Sequence, residues 1–213
     1  MGQSKHKEEQ TPVNRQRRES RKSETGKKRL PRRITESYLH NSGLFYLQRF
    51  SASKAHFKRV MMRKVKRSCA AHTDQDFETC RALVEKLAER FEGSGLLNDA
   101  LFARGLALSL RRQGRSRKAI FAKMTERGLK AEQIEVALER LSEEYGTDDR
   151  EEEREAALRF ARKRRLGPYR RGGAGASDPS VLKKELGAFA RAGFSYETAR
   201  GILLAENDED ALF

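Results

Sequence analysis

Residues 94–107 read SGLLNDALFARGLA, with two leucines ahead of an Asn-Asp pair that opens an apolar run. Asn98 or Asp99 can accept hydrogen bonds from the unpaired N–H groups of a first helical turn, and Leu97 is placed to close on Phe102. A helix therefore starts at Asn98 and runs to residue 113, stopping at Gly114. Glycine followed by an apolar residue recurs at Gly128-Leu129 and Gly193-Phe194, the pattern of a left-handed C-terminal cap.

On either side of this helix the chain divides into further helix-length periodic segments. They cover 34–48, 53–67, 74–92, 116–127 and 149–165, with one carrying Ile134, Leu138, Leu141 and Tyr145, one opening at Asp178-Pro179 and one at Ser195. In 74–92, Phe77, Cys80, Val84, Leu87 and Phe91 recur at three- and four-residue steps, so they share one face, which must be buried. The β-branched alternation of strands is almost absent.

The segments also resemble one another. At an offset of 65, Phe121 falls on Leu186, Met124 on Phe189, Gly128 on Gly193, Leu129 on Phe194 and Leu138 on Leu203, although Ile120 falls on Glu185. At an offset of 63, Ser53 falls on Ser116, Lys54 on Arg117, Phe57 on Ile120 and Met61 on Met124. Three repeats of three helices follow, with expected limits 34–93, 94–147 and 148–206 and an acidic, apolar tail at 207–213. The expected fold class is all-α: an elongated tandem array of three three-helix repeats behind a disordered basic N-terminal arm, 1–33. That arm holds twelve Lys/Arg against four Glu and only Met1, Val13 and Leu30 from the aliphatic set, too little apolar surface to offset the entropy of ordering.

The net charge of +15 over 213 residues favours an anionic partner. Nucleic acid ranks first, because no apolar run approaches the ~20 residues of a spanning helix and MGQSKHKEEQ lacks the apolar core of a signal peptide. A cytoplasmic location without membrane contact is expected. Cys80 sits on the apolar stripe of its helix and reads as a reduced core residue. His6, His40, His56 and His72 are scattered, so neither a metal nor a cofactor is expected. Charge alternates along the chain. Residues 34–70 carry eight Lys/Arg and one acid, 71–100 three and seven, 101–130 nine and one, 131–158 three and eleven, and 159–171 seven and none. In a linear array like signs can align into stripes; the plainer reading is solvated helix faces.

The motifs together resemble the RecX family of bacterial regulators of the RecA recombinase. The family's Gly-Leu-Leu-Asp-Asp-x-x-Phe-Ala hallmark is matched by Gly95, Leu96, Leu97, Asn98, Asp99, Phe102 and Ala103, with Asn98 in place of the first Asp. A basic-Gly-basic helix pair follows at Arg111, Arg112, Gly114, Arg117, Ile120, Gly128 and Leu129, and RKRRLGPYR, 162–170, is similar to the segment after the seventh helix in many members. Departures are the longer, more basic VKRSCAAHTDQD between the second and third helices and the glycine-rich RRGGAGAS after the seventh. The resemblance implies a non-enzymatic, monomeric protein that binds in the groove of the RecA–DNA filament and interferes with filament extension, ATP hydrolysis and strand exchange. Its partners would be the RecA filament and single- and double-stranded DNA, with no small-molecule substrate.

A filament groove offers phosphates beside protein, and the candidate contacts follow from that. Arg111, Arg112, Arg115, Arg117 and Lys118 cluster around Gly114. Cations suit a helix C-terminus, which accounts for Arg111 and Arg112 but not for Arg117 and Lys118 at the next helix's start; phosphate binding accounts for all five. Lys54, Lys58, Arg59 and Arg63 lie on neighbouring turns of the second helix. Tyr169 sits among Arg164, Arg165 and Arg170, where a base can stack or the ring can fold back on the seventh helix. Catalysis finds little support: Glu151, Glu152 and Glu153 are contiguous and point around their helix, and no phosphate-binding glycine loop exists. The rival function is a DNA-binding transcriptional regulator with helix-turn-helix-like modules.

Overall fold

A side chain able to accept from backbone N–H opens nearly every helix, and each opening fixes where the chain turns. The computed structural model describes residues 30–170 and 178–205; the expectations for residues 1–29, for the glycine-rich stretch and for the tail lie outside them. Thr35 caps α1 (Glu36–Leu47), Ser53 caps α2 (Lys54–Ala71) and Asp76 caps α3 (Phe77–Gly93). Asn98 caps α4 (Asp99–Arg112), accepting from Leu101 N at 2.9 Å, and Ser116 caps α5 (Arg117–Glu126). α6 (Ala131–Tyr145) follows, then α7 (Asp149–Arg164) behind Asp148, a 3-10 turn (Gly167–Tyr169), α8 (Pro179–Ala192) behind Asp178 and α9 (Tyr196–Leu203) behind Ser195. Among the described residues there is no strand, so the all-α expectation holds.

The expected glycine stops are present. Gly114, Gly128 and Gly193 take φ of +72°, +89° and +91°. The next residue's N–H then reaches back into the last turn: Arg115 to Leu110 O at 3.2 Å, Leu129 to Met124 O at 3.2 Å, Phe194 to Phe189 O at 3.1 Å. This geometry satisfies carbonyls that the helix end would otherwise strand.

Three apolar cores follow in chain order. Phe57, Met61, Val84 and Phe91 centre the first, Met124, Ile134, Leu138 and Leu141 the second, and Ala157, Phe189, Ile202 and Leu203 the third. The equivalent residues Met61, Met124 and Phe189 are all fully buried. At the position where the repeats disagree, Phe57 and Ile120 are replaced by a buried carboxylate, Glu185. It accepts from Gly167 N at 3.2 Å and from Arg170 Nε at 2.7 Å, the satisfaction a buried charge needs.

Three expectations need correction. Leu97 does not lie under Phe102 as a staple. It belongs to the first core, its N–H donating to Phe91 O at 3.0 Å, so Gly95-Leu96-Leu97 ends α3 rather than opening α4. The second helix does not stop near 67 but continues to Ala71, because Val65 and Ser68 remain on its buried face. Pro31 and Arg32, expected to lie in the arm, are also held by side chains. Ser68 Oγ donates to Arg32 O at 2.9 Å, His72 Nε2 lies 2.8 Å from Pro31 O, and Ile34 N donates to Gln75 Oε1 at 3.1 Å, which ties the chain before α1 to the far end of α2.

Successive modules meet through one repeated device. The buried Ser53 accepts from His56 N at 3.1 Å and donates across to Arg127 O at 2.5 Å; Ser116 accepts from Ala119 N at 3.2 Å and donates to Ala192 O at 2.7 Å. Each serine thus starts a second helix and grips the end of the next module's second helix. A carboxylate completes the contact: Lys54 N donates to Asp99 Oδ1 at 2.7 Å and Arg117 N to Glu153 Oε2 at 2.8 Å.

Candidate nucleic-acid interface

The basic cluster around Gly114 divides in the structure. Arg111 turns into the junction between α4 and α7, where it pairs with Glu152 and donates to Ser142 Oγ at 3.0 Å. The two side chains are only 14% and 13% exposed. Arg117 reaches Glu135 at 2.7 Å and Asp149 at 2.5 Å. Burial outweighs the neighbouring N–H and holds the Glu153 carboxyl above its ordinary pKa. Arg112, Arg115 and Lys118 remain exposed, and no described carboxylate lies within ion-pair distance of them.

The missing signal for Arg117 was in the run at 148–153, DDREEE. Cations at the start of α5 face a helix dipole of the same sign, yet the acids of α6 and α7 meet Arg117 there. Contiguous acids do point around their helix, and for that reason Glu152 and Glu153 find different partners.

The α2 residues divide in a similar way. Lys54 pairs with Glu92 at 2.6 Å and Lys58 with Glu85 at 2.7 Å, both across to α3. Arg59 donates to Glu126 O at 2.6 Å at the end of α5. Arg63 is exposed beside Lys64, Lys66 and Arg67. Burial first, then the guanidiniums of Arg59, Arg127 and Arg63, depress the His56 pKa, as a locally positive face requires. Part of the alternating charge is therefore neutralised inside modules, since basic α2 meets acidic α3 and Arg104 of α4 meets Glu144 of α6 at 2.7 Å.

In the third module Arg164 and Arg165 are exposed, with Arg164 Cζ 5.8 Å from the Phe160 ring. Tyr169 packs against the third core, its OH accepting from Arg162 Nε at 3.2 Å, and Arg170 is committed to Glu185. The hallmark residues act structurally. Asn98 caps α4, Asp99 bridges to α2, and Ala103 is fully buried. Phe102 is half-buried against the second core, Leu96 is exposed, and Gly128 packs on Ala55. Among the described residues no cluster of His, Cys, Asp and Glu could hold a metal ion, and no helix is long and apolar enough to cross a membrane. Cys80 is buried with a free thiol, its pKa raised by burial and by Cys69.

No family model matches the sequence. A protein of Myxococcus xanthus (strain DK1622) described as "Regulatory protein RecX" is 37% identical over 187 residues, covering 86% of this chain and 92% of that one. A second "Regulatory protein RecX", from Agrobacterium fabrum (strain C58 / ATCC 33970), is 29% identical over 173 residues, 81% of this chain and 85% of that one. The crystal structure of RecX from Lactobacillus salivarius superposes with a TM-score of 0.50 at 18% identity, over 79% of this chain and 94% of its own. A further crystal structure of regulatory protein RecX gives 0.50 at 17% identity, over 78% and 70%. These two structures share the fold.

Proposed function

The chain belongs to the RecX family of regulatory proteins, and from that premise we propose that it is a non-enzymatic, monomeric, cytoplasmic regulator that binds the RecA–DNA filament and inhibits RecA's recombinase and ATPase activities. The observation that carries this reading is the 37% identity to a RecX regulator over nearly the whole of both chains. The charge distribution supports it: Arg112, Arg115 and Lys118 in the second module, Arg63 in the first and Arg164 and Arg165 in the third stay exposed after internal pairing. Guanidinium forks on successive modules suit a repeating polyanion, because each phosphate neutralised releases condensed counterions. We assign filament contact to these residues, and to Arg111, Arg117, Lys54, Lys58, Arg59, Arg170 and Tyr169 the task of holding the contact surfaces in place. We keep the expected limits 34–93, 94–147 and 148–206 as the units of the array, with the first boundary moved to follow Leu97, which packs in the first core.

The test is a titration of the protein into single-strand-dependent ATP hydrolysis by RecA. The expected result is inhibition at or below one protein per RecA subunit; unchanged hydrolysis at stoichiometric ratio overturns the reading. Replacing Arg112, Arg115 and Lys118 together by alanine should raise the concentration needed and lower the salt slope by about 0.7–0.9 for each phosphate left without its cation. A preference of about 10³-fold or more for one duplex sequence over bulk DNA would instead favour a sequence-specific regulator.

A further inference from the structure

In the first module α1 and α2 flank an open groove of about 680 Å³ that sets exposed aromatic rings beside a run of cations. Phe45 and Phe50 stand in it 56% and 57% exposed, in a chain whose other described phenylalanines are buried or half-buried. Phe50 does not hang free: its ring centroid is 5.3 Å from that of Tyr46, which in turn lies 6.4 Å from the buried Phe57. The Arg49 guanidinium sits 4.0 Å over the Phe45 ring, extending a planar cationic surface from that face. The opposite wall carries Arg63, Lys64, Lys66 and Arg67 from α2, and no described carboxylate lies within ion-pair distance of any of the five cations.

We propose that this groove binds single-stranded DNA, with unpaired bases stacked on Phe45 and Phe50 and backbone phosphates held by Arg63, Lys66 and Arg67. The inference rests on the filament-binding reading for its ligand class and adds the strand state and the mode of contact. Exposed rings are the discriminating feature. A duplex keeps its base faces stacked on one another and gains nothing from them, whereas a single strand offers a π-face at every nucleotide. Cations without intervening acids supply the phosphate track. An acidic protein surface would satisfy the charges but would leave two large apolar rings in water.

The experiment uses the full chain without recombinase and measures fluorescence anisotropy of labelled oligothymidylate and of a mixed-sequence duplex of equal length. The single strand should bind more tightly. Phe45→Ala and Phe50→Ala should each weaken single-strand binding roughly 5- to 100-fold with little effect on the duplex. Arg63→Gln, Lys66→Gln and Arg67→Gln combined should reduce the salt slope by about 2, near 0.7 per phosphate on a single strand. Because the chain contains no tryptophan, Phe45→Trp and Phe50→Trp create sole indole reporters, which should keep the affinity and be quenched when oligothymidylate is added. Wild-type affinity in both alanine variants, equal losses on single strand and duplex, binding of neither nucleic acid, or indoles blind to the oligonucleotide would overturn the proposal. Since RecA is absent, failure here with ATPase inhibition intact removes only the groove. Oligonucleotide binding as described with no inhibition removes only the regulator reading.

Discussion

At the first junction Ser53 holds the carbonyl of Arg127 and Asp99 takes the N–H of Lys54; at the second, Ser116 holds the carbonyl of Ala192 and Glu153 takes the N–H of Arg117. The backbone contacts correspond closely, and the glycine facing each serine is in the same left-handed state. A Cβ on Gly128 would lie 2.8 Å from Ala55 Cβ, and one on Gly193 would lie 2.6 Å from Ser116 Oγ. What differs is charge. The second junction adds the part-buried Arg111–Glu152 pair and the Arg117–Asp149 bridge, together with Thr147 Oγ1 donating to Glu152 Oε1 at 2.6 Å, whereas the first adds Arg59 donating to the Glu126 carbonyl and no ion pair between described residues. The shared part sets one serine hydroxyl, one carboxylate and one left-handed glycine at each junction against backbone groups that every residue has. The ionic part needs particular side chains on two modules at once and is present at one junction alone.

The sharpest way to break this correspondence is Gly128→Ala against Gly193→Ala. Each forces a positive φ on a Cβ that also collides, so both should cost about 2–4 kcal/mol in urea denaturation. Tolerance of one and not the other would show the junctions to be unequal in their backbone. Next, Glu152→Ala leaves the part-buried Arg111 without its carboxylate and should cost about 2–3 kcal/mol, and the urea transition should broaden or split as the third module uncouples. Glu92→Ala, which removes an exposed pair from the first module, should cost under about 1 kcal/mol. Equal losses from the two glutamates would erase the distinction between sealed and unsealed charge.

Smaller effects sharpen the picture. Ser53→Ala and Ser116→Ala each remove a cap and a cross-module donor, about 1–2 kcal/mol apiece, and similar values at both sites are expected from thermal melts. Glu153→Gln carries the smallest change and a pH signature. Because burial raises the folded pKa of Glu153, its contribution is fully present below the ordinary glutamate pKa and is lost as pH rises through the raised value. The substituted amide still offers an oxygen to Arg117 N, so the variant should match the parent in acid and gain on it towards neutral pH. A stability difference that stays flat from acid to neutral pH would assign Glu153 no titration linkage.

Helix starts and stops were legible because they are local. Asn98, Ser116, Asp178 and Ser195 cap their own first turns, and Gly114, Gly128 and Gly193 close their own last ones, within reach of four or five residues. The repeat was legible as well, since Met61, Met124 and Phe189 must all fill a core. Even the mismatch at Glu185 was visible as a mismatch. Its resolution was not, because Arg170 reaches Glu185 from a tract that carried another expectation. Which basic candidates pair internally was not legible, because their partners lie 15 to 41 residues away along the chain. Arg112, Arg115 and Lys118 looked like Arg111 and Arg117 in sequence, while Glu152 lies 41 residues from Arg111. Nothing in the sequence marks Phe45 and Phe50 as uncovered, because whether an aromatic ring is packed depends on neighbours from other elements.

Composition and periodicity alone settled that the chain is helical, that its units recur and that it carries a net charge of +15, because these properties reside in single residues or in neighbours along one helix. Which arginines face solvent, which carboxylates neutralise the others, and which rings are left uncovered were settled only when modules packed. Coulomb attraction and burial act through space between residues that the chain order keeps far apart.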